Sequence, residues 1–312
     1  MSIAPFHLFP RRPLARHNLF ARLMRNGSAA ASLTLLACLL LACFSAPLIG
    51  ATFDINATSI DLFNISAAPS AVHPLGTDEI GRDLLMRLLN GGQVSLTVGI
   101  AAALSATAIG TVAGLIAGYR GGIADAVLMR LADGVISLPL LPLLIVLAAI
   151  DPAKVGLPPE LVQSESFSLY RIIAIIALVG WTTTARLVRG TILSLRERDF
   201  IEAARAQGLP TSRILFRHLL PNAASPILVA MTLTVGNVIL FESVLSFLGL
   251  GIQPPIPSWG NMLTGAQDLI SAAPMLAIWP GLLIFAAVIA FNFLGDGLQD
   301  ALNPRGRNRR GR

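Results

Sequence analysis

Six stretches of this chain contain no Asp, Glu, Lys or Arg: residues 26–53, 88–119, 134–150, 172–185, 219–241 and 269–295. A helix needs about 20 apolar residues to cross the ~30 Å hydrocarbon core of a bilayer. Backbone polar groups in lipid must be satisfied within the segment itself, which leaves helices as the economical solution for runs of this length. The pattern therefore predicts an all-α membrane protein with six transmembrane helices. The run at 172–185 is short, but Arg171 and Arg186 at its ends can snorkel to the interfaces. Composition agrees, with 54% hydrophobic and 13% charged residues, outside the range of a soluble domain. A seventh uncharged run, 243–267, holds Pro254, Pro255 and Pro257 and is expected to be an irregular external loop.

The basic residues set the expected orientation, because cytoplasmic loops carry the excess of Lys and Arg. Of the 23 basic residues, 19 fall on one face: the N-terminal tail, the loop 119–130, the stretch 186–222 and the C-terminal tail. The other face has Arg82, Arg87, Lys154 and Arg171. Both termini are therefore expected in the cytoplasm. The Arg-rich end (Arg305, Arg307, Arg309, Arg310, Arg312) has no interleaved aromatics for base stacking, which argues against nucleic acid as a partner. Cys38 and Cys43 lie inside the first apolar run, so neither a disulfide framework nor a zinc site is expected. That run is longer than a signal-peptide core and is read as a retained helix.

Along the chain, residues 1–27 read as a poorly ordered basic tail, 28–50 as the first transmembrane helix and 51–93 as an extracytoplasmic segment. Within the last, His73–Asp83 has Gly76 and Gly81 as punctuation, and Asp78 is the expected cap of the helix that follows. It suits a connector that fixes the entry angle of the second span better than a substrate contact. Gly110, Gly114 and Gly118 form a stripe for close helix packing. Pro139 and Pro142 break the third span, 133–150, and place it inside the bundle, where neighbours can satisfy freed carbonyls. Arg130 and Asp133 are spaced to pair. After the fifth span, about 224–243, a short helix ended by Gly249 and Gly251 is expected to dip back toward the bundle. The sixth span covers about 274–294, and residues 304–312 form a basic tail.

The stretch 198–221 is charged and lies between two apolar spans. Asp199 and Glu202 match a capping box, Gly208 can supply a left-handed C-cap, and Pro210 forbids continuation. A helix of about eight residues follows, then a second from Thr211 carrying Arg213, Arg217 and His218, stopped by Pro221. The residues alone suit either an interfacial connector, with Phe200, Ile201 and Ala204 on lipid, or a stiff docking element.

The spacing Glu202-Ala203-Ala204, then Gly208, then Leu220-Pro221 resembles the EAA loop of ATP-binding-cassette importer permeases. Four further segments, His73–Asp83, Gly118–Gly122, Ser246–Gly251 and Pro257–Gly260, are similar to the C-type permease of dipeptide, oligopeptide and nickel importers, and His218 fits that branch. The resemblance covers about residues 28–303. It implies the type I (MetI-like) permease fold with an extra N-terminal helix, its permease domain spanning 94–303. It further implies that Asp199, Glu202, Ala203, Ala204, Gly208, Leu220 and Pro221 couple to an ATPase. The implied partners are a homologous permease in a heterodimer, two ATPase subunits and an extracytoplasmic solute-binding protein. ATP and Mg²⁺ would be bound by the ATPases, leaving this chain no cofactor.

No catalytic or metal site is expected here. The only lysine, Lys154, is not in a phosphate-binding loop, and His7, His17, His73 and His218 are scattered. The string Leu89–Gln93 looks like a cassette signature but stands at the mouth of a span. A secondary transporter would need ionisable groups at mid-membrane, and the apolar cores are nearly free of them. Asn237 and Glu242, with the segment 243–251, are weak candidates for the translocation path. Peptides are the substrate implied by the resemblance, with nickel chelates and glutathione as alternatives.

Overall fold

A computed structural model describes residues 19–53, 55–164 and 166–302, and these are helical with no strands. The expectations for residues 1–18 and for the C-terminal tail lie outside the described residues. Helix α1 (Leu19–Met24) forms where irregular chain was expected, and Leu23 is buried close to Gly297 near the C-terminus. Helix α2 (Gly27–Phe44) turns at Ser45 into α3 (Ala46–Phe53). Helix α4 (Leu84–Arg120) has 37 residues, about 55 Å at 1.5 Å per residue. It is too long for the hydrocarbon core alone, so the helix at the end of the 73–83 segment and the second span are one rod.

Two helices follow where one broken span was expected: α5 (Gly122–Ile136) and α6 (Leu140–Ala149), bent by 90°. They lie at the edge of the chain, with only Ala132, Leu144 and Ala148 buried. The prolines do not by themselves demand an interior position, for a local reason. Pro139 is the N-cap of α6 and Pro142 is in its first turn, where an amide has no intrahelical acceptor to lose. Asp133 pairs at 3.5 Å with Arg186, not with Arg130.

Helix α7 (Pro159–Val162) precedes α8 (Phe167–Arg196), the main partner of α4. The glycine stripe makes that contact. A Cβ on Gly114 would stand 2.6 Å from the Ala185 carbonyl oxygen and 2.7 Å from Val188 Cβ, and Gly110 and Gly118 are equally close to α8. The chain continues through α9 (Asp199–Ala206), α10 (Thr211–Ile214), α11 (Leu220–Phe247), α12 (Trp259–Asp268) and α13 (Met275–Leu302). The expected dip after the fifth span is absent, since α11 runs unbroken to Phe247. The proline-rich external stretch is partly helical, with α12 opened by a Ser258–Asn261 capping box. Among the described residues five helices are long and apolar enough to cross a membrane, or six if α5 and α6 count as one bent span.

The connector before α4 is held by charge. Asp78 accepts from Arg82 Nε at 2.7 Å and faces Arg87 Nε at 3.1 Å. Asp83, not Asp78, caps α4, accepting from the Met86 amide at 2.8 Å while His73 Nδ1 lies 2.9 Å away. Asp78 is already saturated by the turn it closes, taking the Ile80 and Arg82 amides.

Candidate functional site

The charged stretch 198–221 folds as a helical hairpin fused to two spans. Helix α9 has eight residues, as its terminators dictate: Gly208 adopts φ +70°, its amide reaches the Arg205 carbonyl, and the Leu209 amide reaches Ala204. The capping box is not formed. Arg198 is the N-cap residue, without a side-chain bond, and Asp199 is the first helical residue beside the amide end it favours electrostatically.

One face of α9 is inside the protein. Ile201 and Ala204 join Leu115, Val188, Ile192, Ile214, Leu219 and Ala223 in a separate apolar cluster. These two are therefore core residues and not lipid contacts. The opposite face is exposed: Asp199, Phe200, Glu202, Ala203, Arg205, Ala206 and Gln207. The structure thus splits the alanine pair, with Ala204 anchoring the helix and Ala203 outward.

Pro221 does not stop the second helix. Residues Leu215–Leu219 form a π turn, and α11 begins directly after it, so the chain is helical from Thr211 to Phe247. A proline ring clashes with the carbonyl four residues back in an α-helix. The wider turn, in which the Leu220 amide bonds the Leu215 carbonyl, relieves that clash without a break. Leu219 is buried, Leu220 partly so and Pro221 exposed.

One further contact ties the hairpin to α4, and a second ties α8 to α4 beside it; neither was evident from the sequence. Arg205 sits over the Tyr119 ring, and Arg196 donates to the Gly118 carbonyl at 3.0 Å. Nearby, Arg189 grips Asp125 of α5 with two nitrogens, the Nη2–Oδ2 contact measuring 2.6 Å. Both tyrosine and glycine belong to a segment singled out above, but nothing in their spacing names their partners.

The two weak path candidates part company. Asn237 is exposed on α11, whereas Glu242 is fully enclosed. Glu242 accepts from Ser246 Oγ at 2.7 Å and from Ser95 Oγ of α4 at 3.1 Å. Ser95 in turn accepts the Trp259 amide, and Trp259 Nε1 donates to the Leu88 carbonyl at 2.9 Å. Glu242 is the centre of a buried polar knot joining α4, α11 and α12. The signature-like string is explained by the same knot: Gly91 and Gly92 are helical residues pressed against Ser258 and Trp259.

The sequence matches the family of binding-protein-dependent transport system inner membrane components over residues 110–308. It is 40% identical over 286 residues to a putative peptide permease protein of Brucella suis, covering 91% of this chain and 89% of the relative. It is 39% identical over 286 residues to a dipeptide transport system permease protein of Alkalihalophilus pseudofirmus, covering 92% and 88%. A glutathione transport system permease protein of Pectobacterium atrosepticum is 41% identical over 245 residues, covering 78% and 77%. The match takes in the hairpin, the glycine stripe from Gly110 onward and the last three long helices, and this chain belongs to the binding-protein-dependent transport system inner membrane components.

Proposed function

We propose that this chain is one of two permease subunits of an ATP-driven importer of di- or oligopeptides, with its hairpin 198–221 docked on a partner ATPase. The observation that carries the reading is the two-sided helix α9. Its inner face is fixed to α4, α8 and α11 through Ile201 and Ala204, and its outer face leaves Asp199, Glu202 and Ala203 free. A helix rigidly joined to three spans passes a displacement of its outer face into the bundle, because packed cores move as units and do not deform continuously.

In this reading Asp199, Glu202, Ala203, Ala204, Gly208, Leu220 and Pro221 form the coupling element, some by contact and some by shaping it. Both termini are cytoplasmic, as the distribution of basic residues favours. The exposed α5–α6 edge faces a homologous permease in a heterodimer, and a solute-binding protein delivers the peptide from outside. Nucleotide binding draws the ATPases together and moves the hairpins, which tilts the spans; hydrolysis resets them. The chain has no phosphate-binding loop and leaves hydrolysis to its partners. The names of the relatives support peptides, and glutathione, a tripeptide, falls in the same chemical class.

The test is uptake by the complete importer in proteoliposomes. Peptide entry that requires ATP, both ATPases and the binding protein is the expected result. Entry that persists without ATPases and follows a proton gradient overturns the proposal.

A further inference from the structure

A cavity of about 580 Å³ lies between the C-terminal end of α6, residues 151–152, residues 162–164, the first turns of α8 and the loop 249–255. That volume is within the range of small-molecule sites, roughly 300–1,000 Å³. None of its lining belongs to the hairpin or to the Glu242 knot.

Two lining residues carry charge, Arg171 and Asp151. Arg171 is half-buried, and part of its guanidinium is turned into the protein. Its Nη2 donates to the Leu250 carbonyl at 2.9 Å, and its Nε is shut off from solvent with no acceptor. Among the described residues no carboxylate forms a salt bridge with it. Asp151 accepts the Ala153 amide at 3.0 Å through one oxygen and has no basic partner among the described residues either. Arg171, with a buried N–H that has no acceptor, and the solvent-exposed carboxylate of Asp151 thus line one cavity, and among the described residues neither is in a salt bridge. The guanidinium is a planar fork of five donors, and the Leu250 carbonyl fixes its plane. The fold gives no internal use to the rest of the fork.

We infer that this cavity receives small zwitterionic solutes, with a free carboxylate on Arg171 and an ammonium group on Asp151. The inference rests on the importer reading and adds a chemical class and a site to it. A planar guanidinium matches a carboxylate in two parallel hydrogen bonds. The cavity's lining brings one cationic and one anionic side chain, and together they favour a zwitterion over a purely anionic solute. The site stands at the end of α8 remote from the hairpin, where a solute released by a binding protein would first meet this subunit.

The test uses the complete importer in proteoliposomes with dialanine as probe. It measures uptake and the ATP hydrolysis stimulated by the loaded binding protein. Arg171→Lys is expected to lose less uptake than Arg171→Ala but not to match the wild type, because an ammonium keeps the charge without the paired hydrogen bonds. Arg171→Ala is expected to lower it about tenfold, the worth of a charge-assisted contact, and Arg171→Glu to lower it further. Asp151→Asn is expected to lower it severalfold. Stimulated hydrolysis stays at the wild-type level in all four. Unchanged uptake in Arg171→Ala or Asp151→Asn overturns the inference, as does an equal loss in Arg171→Ala and Arg171→Glu. Hydrolysis that falls in step with uptake also overturns it, because these residues would then dock the binding protein or hold the fold. Wild-type vesicles that take up a longer peptide but no dialanine overturn the inference alone, whereas vesicles that take up neither overturn the peptide reading itself, and both failures are visible before any variant is compared.

Discussion

The guanidinium of Arg205, on the short helix α9, lies 5.3 Å from the ring centroid of Tyr119 at the end of α4. An exposed cation–π contact contributes about 0.5–1 kcal/mol, and this one joins the outer part of the hairpin to the longest helix of the bundle. Replacing Arg205 by Ala or Tyr119 by Leu is expected to lower uptake per ATP hydrolysed by about two- to fivefold. The double variant should be no worse than either single one. Additive losses in the double-mutant cycle would show that the two side chains act separately.

Gly208 ends α9 at φ +70°, with open space where a side chain would stand. The cost of a substitution is therefore conformational and not steric. A β-branched residue there loses about 1–2 kcal/mol to the left-handed backbone, enough to redirect the turn. Gly208→Val is expected to insert normally into the membrane and to lose import together with stimulated ATP hydrolysis. Normal uptake in that variant would remove the turn from the coupling element.

Pro221 is accommodated by the π turn Leu215–Leu219. With Pro221→Ala the ring no longer forbids a regular α ladder. Closing the extra residue rotates Thr211–Ile214 by about 100° against α11, drawing Ile214 out of its apolar cluster. The expected result is unchanged membrane yield with uptake reduced by about tenfold, near 1.4 kcal/mol. Wild-type uptake would mean that surrounding packing, and not the proline, holds the π turn.

Gly114 lies against the backbone of α8 at Ala185. A carbonyl oxygen in a packed helix cannot move aside as a side-chain tip could. Gly114→Ala is expected to destabilise the protein by about 1–3 kcal/mol, and Gly114→Leu to prevent assembly. Thermal denaturation in detergent checks both, and an unshifted midpoint for Gly114→Ala would show that α4 and α8 can separate without cost.

Glu242 holds Ser95 and Ser246 inside the bundle. Glu242→Gln keeps an acceptor of the same shape and should change thermal stability little. Glu242→Leu leaves hydroxyls without their acceptor, at about 1–3 kcal/mol, and should lower the midpoint and the yield. Loss of transport in Glu242→Gln at unchanged stability would instead give the carboxyl a direct part in transport.

Much of the site is written in short-range signals. Gly208 and Pro210 end one helix and release the next because each acts on its own backbone, so the eight-residue helix α9 is legible without neighbours. The same holds for the glycine stripe, whose spacing marks one face of a helix. The misreadings have a common source as well. Sequence spacing predicts a local role for each of Asp199, Asp78 and Asp133, and each carboxylate answers instead to the groups that reach it in the fold. Asp83 took the cap because Asp78 was claimed by Arg82 and Arg87, and Asp133 turned to Arg186 on another helix.

Apolar run length, the segregation of charge and the turn residues together determined that this chain is a bundle of membrane helices carrying a charged hairpin. Those features follow from the thickness of the bilayer and from the local backbone, which a sequence states directly. Tertiary structure alone decided that Ala204 faces inward and Ala203 outward, that Pro221 continues a helix, that Glu242 is enclosed, and that Arg171 and Asp151 line one cavity. Each of these depends on which surfaces meet across tens or hundreds of residues, and the partner in such a contact is fixed by packing geometry that no local pattern encodes.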